Sequence, residues 1–143
     1  MTTRRAFVLG LCALALPVRA QGAPALLVYK SPGCGCCSEW EKHMRAHGFS
    51  VESRLVDDIA AVKRKLGVPD ALASCHTGIV AGYVVEGHVP AQDVRRLLRE
   101  RTKAIGLAVP GMPVGAPGME QGPPEKYATL AFDARRNWVF ERH

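Results

Sequence analysis

The sequence predicts a small α/β domain with helices packed on a mixed sheet, and three observations carry that expectation. Short apolar or alternating runs (period 2) take turns along the chain with stretches of helical period, in the order strand–helix–strand–helix–strand(–strand)–helix. Gly and Pro signals separate the runs at about the intervals short connections need. The span 21–143 is the right length for one domain with a single core, and it contains no internal repeat and no low-complexity tract.

Ala25-Leu26-Leu27-Val28-Tyr29-Lys30 reads as a buried strand, and Ser31-Pro32-Gly33 breaks it. A helix is expected from there to about His47, with Trp40 and Met44 on one face and Glu41 and Arg45 paired i,i+4 on another; Gly48 supplies the stop. Phe49, Val51 and Leu55 then alternate with Ser50, Glu52 and Arg54, as in a half-buried strand, with Ser53 out of pattern. Asp57 or Asp58 caps a second helix that ends near Leu66, before Gly67 and Pro69. Residues 70–76 are a connector, and 77–85 read as a hairpin or bent strand with Gly78 and Gly82 at turn or bulge positions.

Pro90 opens a third helix with an apolar stripe of Val94, Leu97 and Leu98; Arg95, Arg96, Arg99 and Glu100 form its solvated face. Residues 106–124 are so rich in Gly and Pro that no regular structure is expected there. Residues 127–132 and 137–141 form a closing hairpin around 133–136. A right-handed first crossover sets the segment after Lys30 at the C-terminal edge of the first strand, where such sheets carry their sites.

Residues 1–20 read as an export signal. Arg4 and Arg5 are its basic start, residues 7–16 its apolar stretch, and Val18-Arg19-Ala20 the small residues a signal peptidase reads. That stretch is about half the ~20 residues a membrane span takes, so no membrane association is expected once the signal is removed. Thr3-Arg4-Arg5-Ala6-Phe7-Val8 fits a twin-arginine signal and an ordinary secretory one alike. Cys12 follows Leu11, where lipid attachment needs a small residue, so it leaves with the signal. The signal also holds three of the 19 basic residues and none of the 13 acidic ones, so much of the +6 charge leaves with it. No Lys/Arg stripe interleaved with aromatics remains, which argues against nucleic acid as a partner. The expected location is the periplasm.

Of five cysteines, Cys34, Cys36, Cys37 and Cys75 remain after cleavage. Three lie within four residues, which is poor spacing for stapling a fold, because stabilisation by a disulfide grows with the loop it closes. Cys34-Gly35-Cys36-Cys37 stands between a strand and the first turn of a helix, where uncapped N–H groups and the helix dipole favour thiolate. Two readings of the cluster stay open. Cys34-x-x-Cys37 has the dithiol spacing of a thiol–disulfide oxidoreductase. Cys36, interposed, would trap the mixed disulfide, and three sulfurs this close suit a soft metal. Thiolates select Cu(I), zinc or iron–sulfur chemistry; structural zinc sites draw on well-separated pairs, so copper leads and a structural zinc module comes last.

Cys75-His76 is the natural further contributor, just before a strand expected beside the first. His76 reads as a ligand or as a residue orienting the site. Met112 and Met119, flanking Pro113-Val114-Gly115-Ala116-Pro117-Gly118, offer soft thioethers from a long loop. His43 and His47, i,i+4 on one helix face, have the spacing to chelate a metal of their own; His43 follows Cys36 by seven residues, about 10 Å along the axis and too far to share an ion with the thiolates, and His88 has no assignment.

These residues together resemble the CopG-like family, small periplasmic metal-binding proteins associated with bacterial copper resistance. The resemblance rests on Val28-Tyr29-Lys30, Cys34-Gly35-Cys36-Cys37 with Trp40, Ser74-Cys75-His76-Thr77, the run 82–90 (Gly-Tyr-Val-Val-Glu-Gly-His-Val-Pro) and the run 106–113 (Gly-Leu-Ala-Val-Pro-Gly-Met-Pro). It implies a thioredoxin-like α/β fold, a mixed sheet with flanking helices, as a single domain over 21–143. It also implies copper, Cu(I) or Cu(II), held by Cys34, Cys36, Cys37 and Cys75, as a multinuclear thiolate cluster with redox activity. Thioredoxins carry a cis-proline before the third strand; here Cys75-His76-Thr77 stands at that point, replacing a peptide-gripping surface with a metal ligand. The partners expected are the metal ion and a periplasmic copper carrier or exporter.

Overall fold

A computed structural model describes residues 22–143; the export signal expected over 1–20, with its paired arginines and Cys12, lies outside the described residues. The elements run β1 (Ala25–Lys30), α1 (Gly35–Ala46), β2 (Ser50–Leu55), α2 (Ile59–Lys65), a 3-10 turn (Asp70–Leu72), β3 (His76–Val80), β4 (Tyr83–Gly87), α3 (Ala91–Glu100), β5 (Gly106–Val109), β6 (Ala128–Phe132) and β7 (Asn137–Arg142). All seven strands join one mixed sheet in the order β2-β1-β3-β4-β5-β6-β7. The β1/β2 and β4/β5 pairs are parallel and the other neighbours antiparallel.

Both faces of the sheet are covered, as successive residues of its central strands show. Val85 and Leu107 join Leu26, Val28, Trp40, Met44, Val94 and Leu97 in one core cluster. Val84 and Ala108, one residue away, join Val68, Leu72 and Phe132 in another. In α1 the buried residues are Cys37, Trp40, Glu41 and Met44, spaced i, i+3, i+4, i+7; Trp40 and Met44 are on the expected face, while Glu41, expected on another, is buried with them and paired with Lys30 at 2.9 Å. Trp40 is fully buried, and its indole N–H donates to the Val89 carbonyl at 2.9 Å; truncating such a side chain to Ala costs roughly 3–5 kcal/mol. Asp58 is the residue that caps α2, accepting from the Ala61 N–H at 2.9 Å.

Four expectations need correction. Residues 106–109, expected to be irregular, form the fully buried strand β5, parallel to β4. Their glycine permits close approach to the Val84 backbone rather than breaking the run. Gly78 is not a turn: it sits mid-strand, opposite Val28 and Val85, where an added Cβ would press on Leu26 at 3.0 Å; the turn is Ala81-Gly82, both at positive φ. β2 buries little, with Leu55 62% exposed, because it is one of the two edge strands. The arginines of α3 are also more engaged than a solvated face. Arg95 donates to the His47 carbonyl and covers the Phe49 ring, while Arg96 pairs with Glu141 at 2.8 Å over the Phe140 ring.

Candidate metal centre

Two segments meet at one end of β1. The first is the β1–α1 loop running into α1, with Cys34 at the helix N-cap in extended backbone and no side chain capping the first turn. The second is the approach to β3. Pairing of β3 with β1 sets His76 beside Lys30, so Cys75 arrives next to the loop that carries Cys34. The ligand atoms of Cys34, Cys36, Cys37 and Cys75 all lie within 4.8 Å of one another. Cys36 Sγ is 3.7 Å from Cys34 Sγ and 3.8 Å from Cys75 Sγ.

Cys34 and Cys37 are joined by a disulfide, and Cys36 and Cys75 are free. This corrects the expectation of three ready thiolates at the helix start: two of those sulfurs donate to a metal as thiolates only after two electrons reduce the bond between them. Cys75 departs from easy ionisation too. Burial, then the neighbouring Cys36, pushes its thiol up to about 12, so a metal binding there displaces a proton.

Two imidazoles complete the cluster. Cys75 Sγ lies 3.2 Å from His76 Nδ1 and 3.1 Å from His88 Nε2, and the three ligand atoms form a second group within the same 4.8 Å limit. His88 Nδ1 is 2.8 Å from the Pro117 carbonyl, which can only accept; the ring proton therefore sits on Nδ1, and the Nε2 lone pair faces Cys75. Burial lowers the His88 pKa, partly offset by that carbonyl and by Glu120. His76 is fully buried and packs, tilted, against Trp40 with ring centroids 4.3 Å apart. Burial holds its pKa well below 6.5, reinforced by His88, Lys63 and Lys30 and opposed by the Gly87 carbonyl. That carbonyl does not reach Nε2 in hydrogen-bond geometry: among the described residues, His76 Nε2 is a buried side-chain polar atom with no partner. Both rings are neutral at pH 7.

The methionine loop is tied down on either side of the cluster. The Gly111 carbonyl accepts from Ser74 Oγ at 2.5 Å, and Pro117 holds His88. At Gly118, with φ +87, an added Cβ would stand 2.8 Å from the Trp40 nitrogen and 2.9 Å from the Cys36 carbonyl, so the loop crosses the first turn of α1 in backbone contact. Met112 and Met119 each follow one of the anchored glycines; Met112 is 53% exposed and Met119 half-buried.

His43 and His47 serve helix contacts. His43 Nε2 accepts from the Ala91 N–H at 3.1 Å, and His47 Nδ1 donates to the His43 carbonyl at 2.8 Å. His88 is the residue the sequence reading left without a role. The signal for it is the hairpin register: with Ala81-Gly82 as the turn, Thr77 pairs with Glu86, and two residues further out Cys75 stands opposite His88.

The donor set is soft and close-packed: four sulfurs and two neutral imidazoles. Four ligands held tetrahedrally about 2.3 Å from one ion lie about 3.8 Å apart, the spacing Cys36 Sγ already keeps from Cys34 and Cys75, so the sulfurs suit a soft metal once the Cys34–Cys37 bond is opened.

Comparison with known proteins bears on the same residues. A family described as "Protein of unknown function, DUF411" matches residues 72–119, the span that holds Cys75, His76, His88 and the methionine loop. No curated protein sequence matches. A solved structure, "Copper resistance protein copG- Form 2", is 45% identical with a TM-score of 0.81, covering 85% of this chain and 98% of its own. The chain belongs to the CopG family. A second CopG structure, "Form 1", gives 44% identity and a TM-score of 0.80, covering 86% of this chain and 98% of that one. The resemblance drawn from the cysteine, histidine and Gly/Pro motifs is thus shown across the CopG fold. Among the described residues, no helix is long and apolar enough to cross a membrane.

Proposed function

We propose that this protein is an exported copper-binding protein of the periplasm that holds Cu(I) on Cys34, Cys36, Cys37 and Cys75, for sequestration or redox handling. The single observation that carries the reading is the convergence of all four sulfurs within 4.8 Å on the frame of a chain 45% identical to a copper-resistance protein. Copper is the cargo, and the sulfurs supply the soft ligands. His88 Nε2, its lone pair fixed by the Pro117 contact, and His76, whose Nδ1 faces Cys75, add imidazole donors beside that sulfur. Met112 and Met119 are further soft ligands in this reading, on a loop anchored beside the cluster. Loading all four cysteines requires prior reduction of the Cys34–Cys37 bond, so copper occupancy and thiol redox state are coupled. A periplasmic copper carrier or exporter would be the exchange partner.

The frame we propose for this site is a single thioredoxin-like domain over 21–143. The β1-α1-β2 unit, the sheet core β2-β1-β3-β4 and α3 after β4 support it, with β5, β6 and β7 as an extension. A second reading has an observation of its own: the Cys34–Cys37 disulfide at the start of α1 pairs a half-buried sulfur with a fully buried one, the arrangement of a thiol–disulfide oxidoreductase. Elemental analysis with a parallel free-thiol count, on protein from the periplasm of copper-fed cells, separates the two. Copper bound in wild type and lost in Cys75→Ser supports the metal reading. Metal-free protein that exchanges a model disulfide, and that refuses Cu(I) after reduction, supports the oxidoreductase.

A further inference from the structure

Beneath the cluster lies a buried charge network that neither cysteine nor histidine chemistry uses. Glu86, on β4, is wholly inaccessible to solvent. Its Oε1 accepts from Lys63 Nζ of α2 at 2.5 Å and from the Ser74 backbone N–H at 2.6 Å. Its Oε2 accepts from Thr77 Oγ1 at 2.7 Å, and Lys63 Nζ donates again to Thr77 Oγ1 at 3.0 Å. A buried ion pair of this kind contributes little net stability over an apolar pair of the same volume, so stability alone gives no reason for it. Its geometry gives one.

Ser74, half-buried, precedes β3, and its N–H has no ladder partner there; the acceptor it finds is the buried Glu86 carboxylate. The residue after Ser74 is Cys75. The end of β4 grips the two in turn. Glu86 takes the Ser74 amide, and Gly87, at φ +70, lets Ser74 approach so closely that an added Cβ would stand 2.6 Å from its side chain. His88 then meets the Cys75 sulfur at 3.1 Å. Ser74 Oγ meanwhile holds the Gly111 carbonyl, linking the methionine loop to the same point.

We propose that Glu86 is a positioning residue for Cys75: by fixing the Ser74 amide it holds the Cys75 sulfur against Cys36 and His88. Lys63 is the counter-charge that lets the carboxylate remain buried. The proposal deepens the copper reading, but its first test is independent of copper.

The test compares two charge-free pairs, Lys63→Met/Glu86→Leu and Lys63→Met/Glu86→Gln, in a Cys34→Ser/Cys37→Ser background where only the Cys36–Cys75 bridge can form. Neither leaves a buried charge unpaired, and they differ in whether the Ser74 amide keeps an acceptor. The readout is the equilibrium of that bridge with oxidised and reduced glutathione, which gives the effective concentration of one thiol for the other. The Leu pair is expected to lower it by about tenfold or more, the equivalent of one lost hydrogen bond to a charged acceptor, and the Gln pair to restore most of it. Equal values for the folded Leu pair and its parent would overturn the proposal. Should the Leu pair fail to fold, hydrogen exchange on the wild-type protein decides: a slowly exchanging Ser74 amide supports the anchor, and exchange at the rate of an open loop refutes it. Cu(I) affinity, measured on the same double variants with all cysteines present, should fall in parallel for the Leu pair only. A wild-type protein that bound no copper would remove the copper reading and leave the bridge measurement standing.

Discussion

At the scale of single residues, the cluster depends on which atoms keep lone pairs. His88 is held by the Pro117 carbonyl in the tautomer that turns Nε2 toward Cys75. Replacing it by Leu removes that donor and one of the two imidazoles beside the Cys75 thiol. We expect Cu(I) affinity to fall by about 10–100-fold, as losses around metal sites commonly do, with the fold retained. Competition against a Cu(I) chelator measures it, and unchanged affinity would show that His88 does not support the site.

His43 makes a different, pH-dependent contribution. Its Nε2 accepts the Ala91 N–H at the start of α3, a role the protonated ring cannot fill. Burial, then the neighbouring His47, lowers its pKa, with Glu120 opposing. A histidine whose folded pKa lies below the unfolded value of about 6.5 contributes stability that is present above that value and is lost as pH falls through the folded one. His76 and His88 have the same sign. Urea midpoints should therefore fall between pH 7 and pH 5, and less steeply in His43→Gln than in wild type; parallel slopes would contradict the assignment.

At the scale of elements, much of the site was legible before the fold was known. The stripe of Trp40 and Met44, the Asp58 cap and the Cys34–Cys37 position at a helix start all follow from local spacing, and local spacing survives folding. What failed was non-local. β5 was hidden because it is only four residues long, Gly106–Val109, opening on a glycine and stopping at Pro110, and a strand that short is recognisable only by its neighbours β4 and β6. His88 was hidden because its partner lies 13 residues away, across a hairpin whose turn had to be located first. The Cys34–Cys37 bond was legible as the dithiol spacing of an oxidoreductase; loop entropy discounts it only as a staple and says nothing of a bond kept for chemistry. The contact of the Gly118 loop with α1 is testable at this scale. Gly118→Ala puts a Cβ against the helix backbone at a φ that side chains rarely adopt, and should destabilise by about 1–3 kcal/mol. Chemical denaturation measures it, and a neutral effect would mean the loop does not rest on α1.

For the whole molecule, the sheet's pairing pattern explains why the cluster forms where it does. β1 lies between β2 and β3, so the loop after β1 and the segment before β3 share one end of the sheet. The parallel β4/β5 pair, with the Gly/Pro loop after β5, then brings a third segment over the same end. Three stretches far apart in sequence thus converge through strand order alone, while the folding information in each is local and unremarkable. Copper binding through reduced cysteines is the central claim, and it requires the Cys34–Cys37 bond to open.

The measurement that tests it most directly is titration of the protein with Cu(I) before and after reduction of that bond, followed by thiolate-to-copper charge transfer in the ultraviolet. Copper held on reduced cysteines gives strong absorption from the reduced wild type, much less from the disulfide form, and loss of tight uptake in Cys75→Ser. Equal uptake by the reduced and disulfide forms, or full uptake by Cys75→Ser, would contradict that claim.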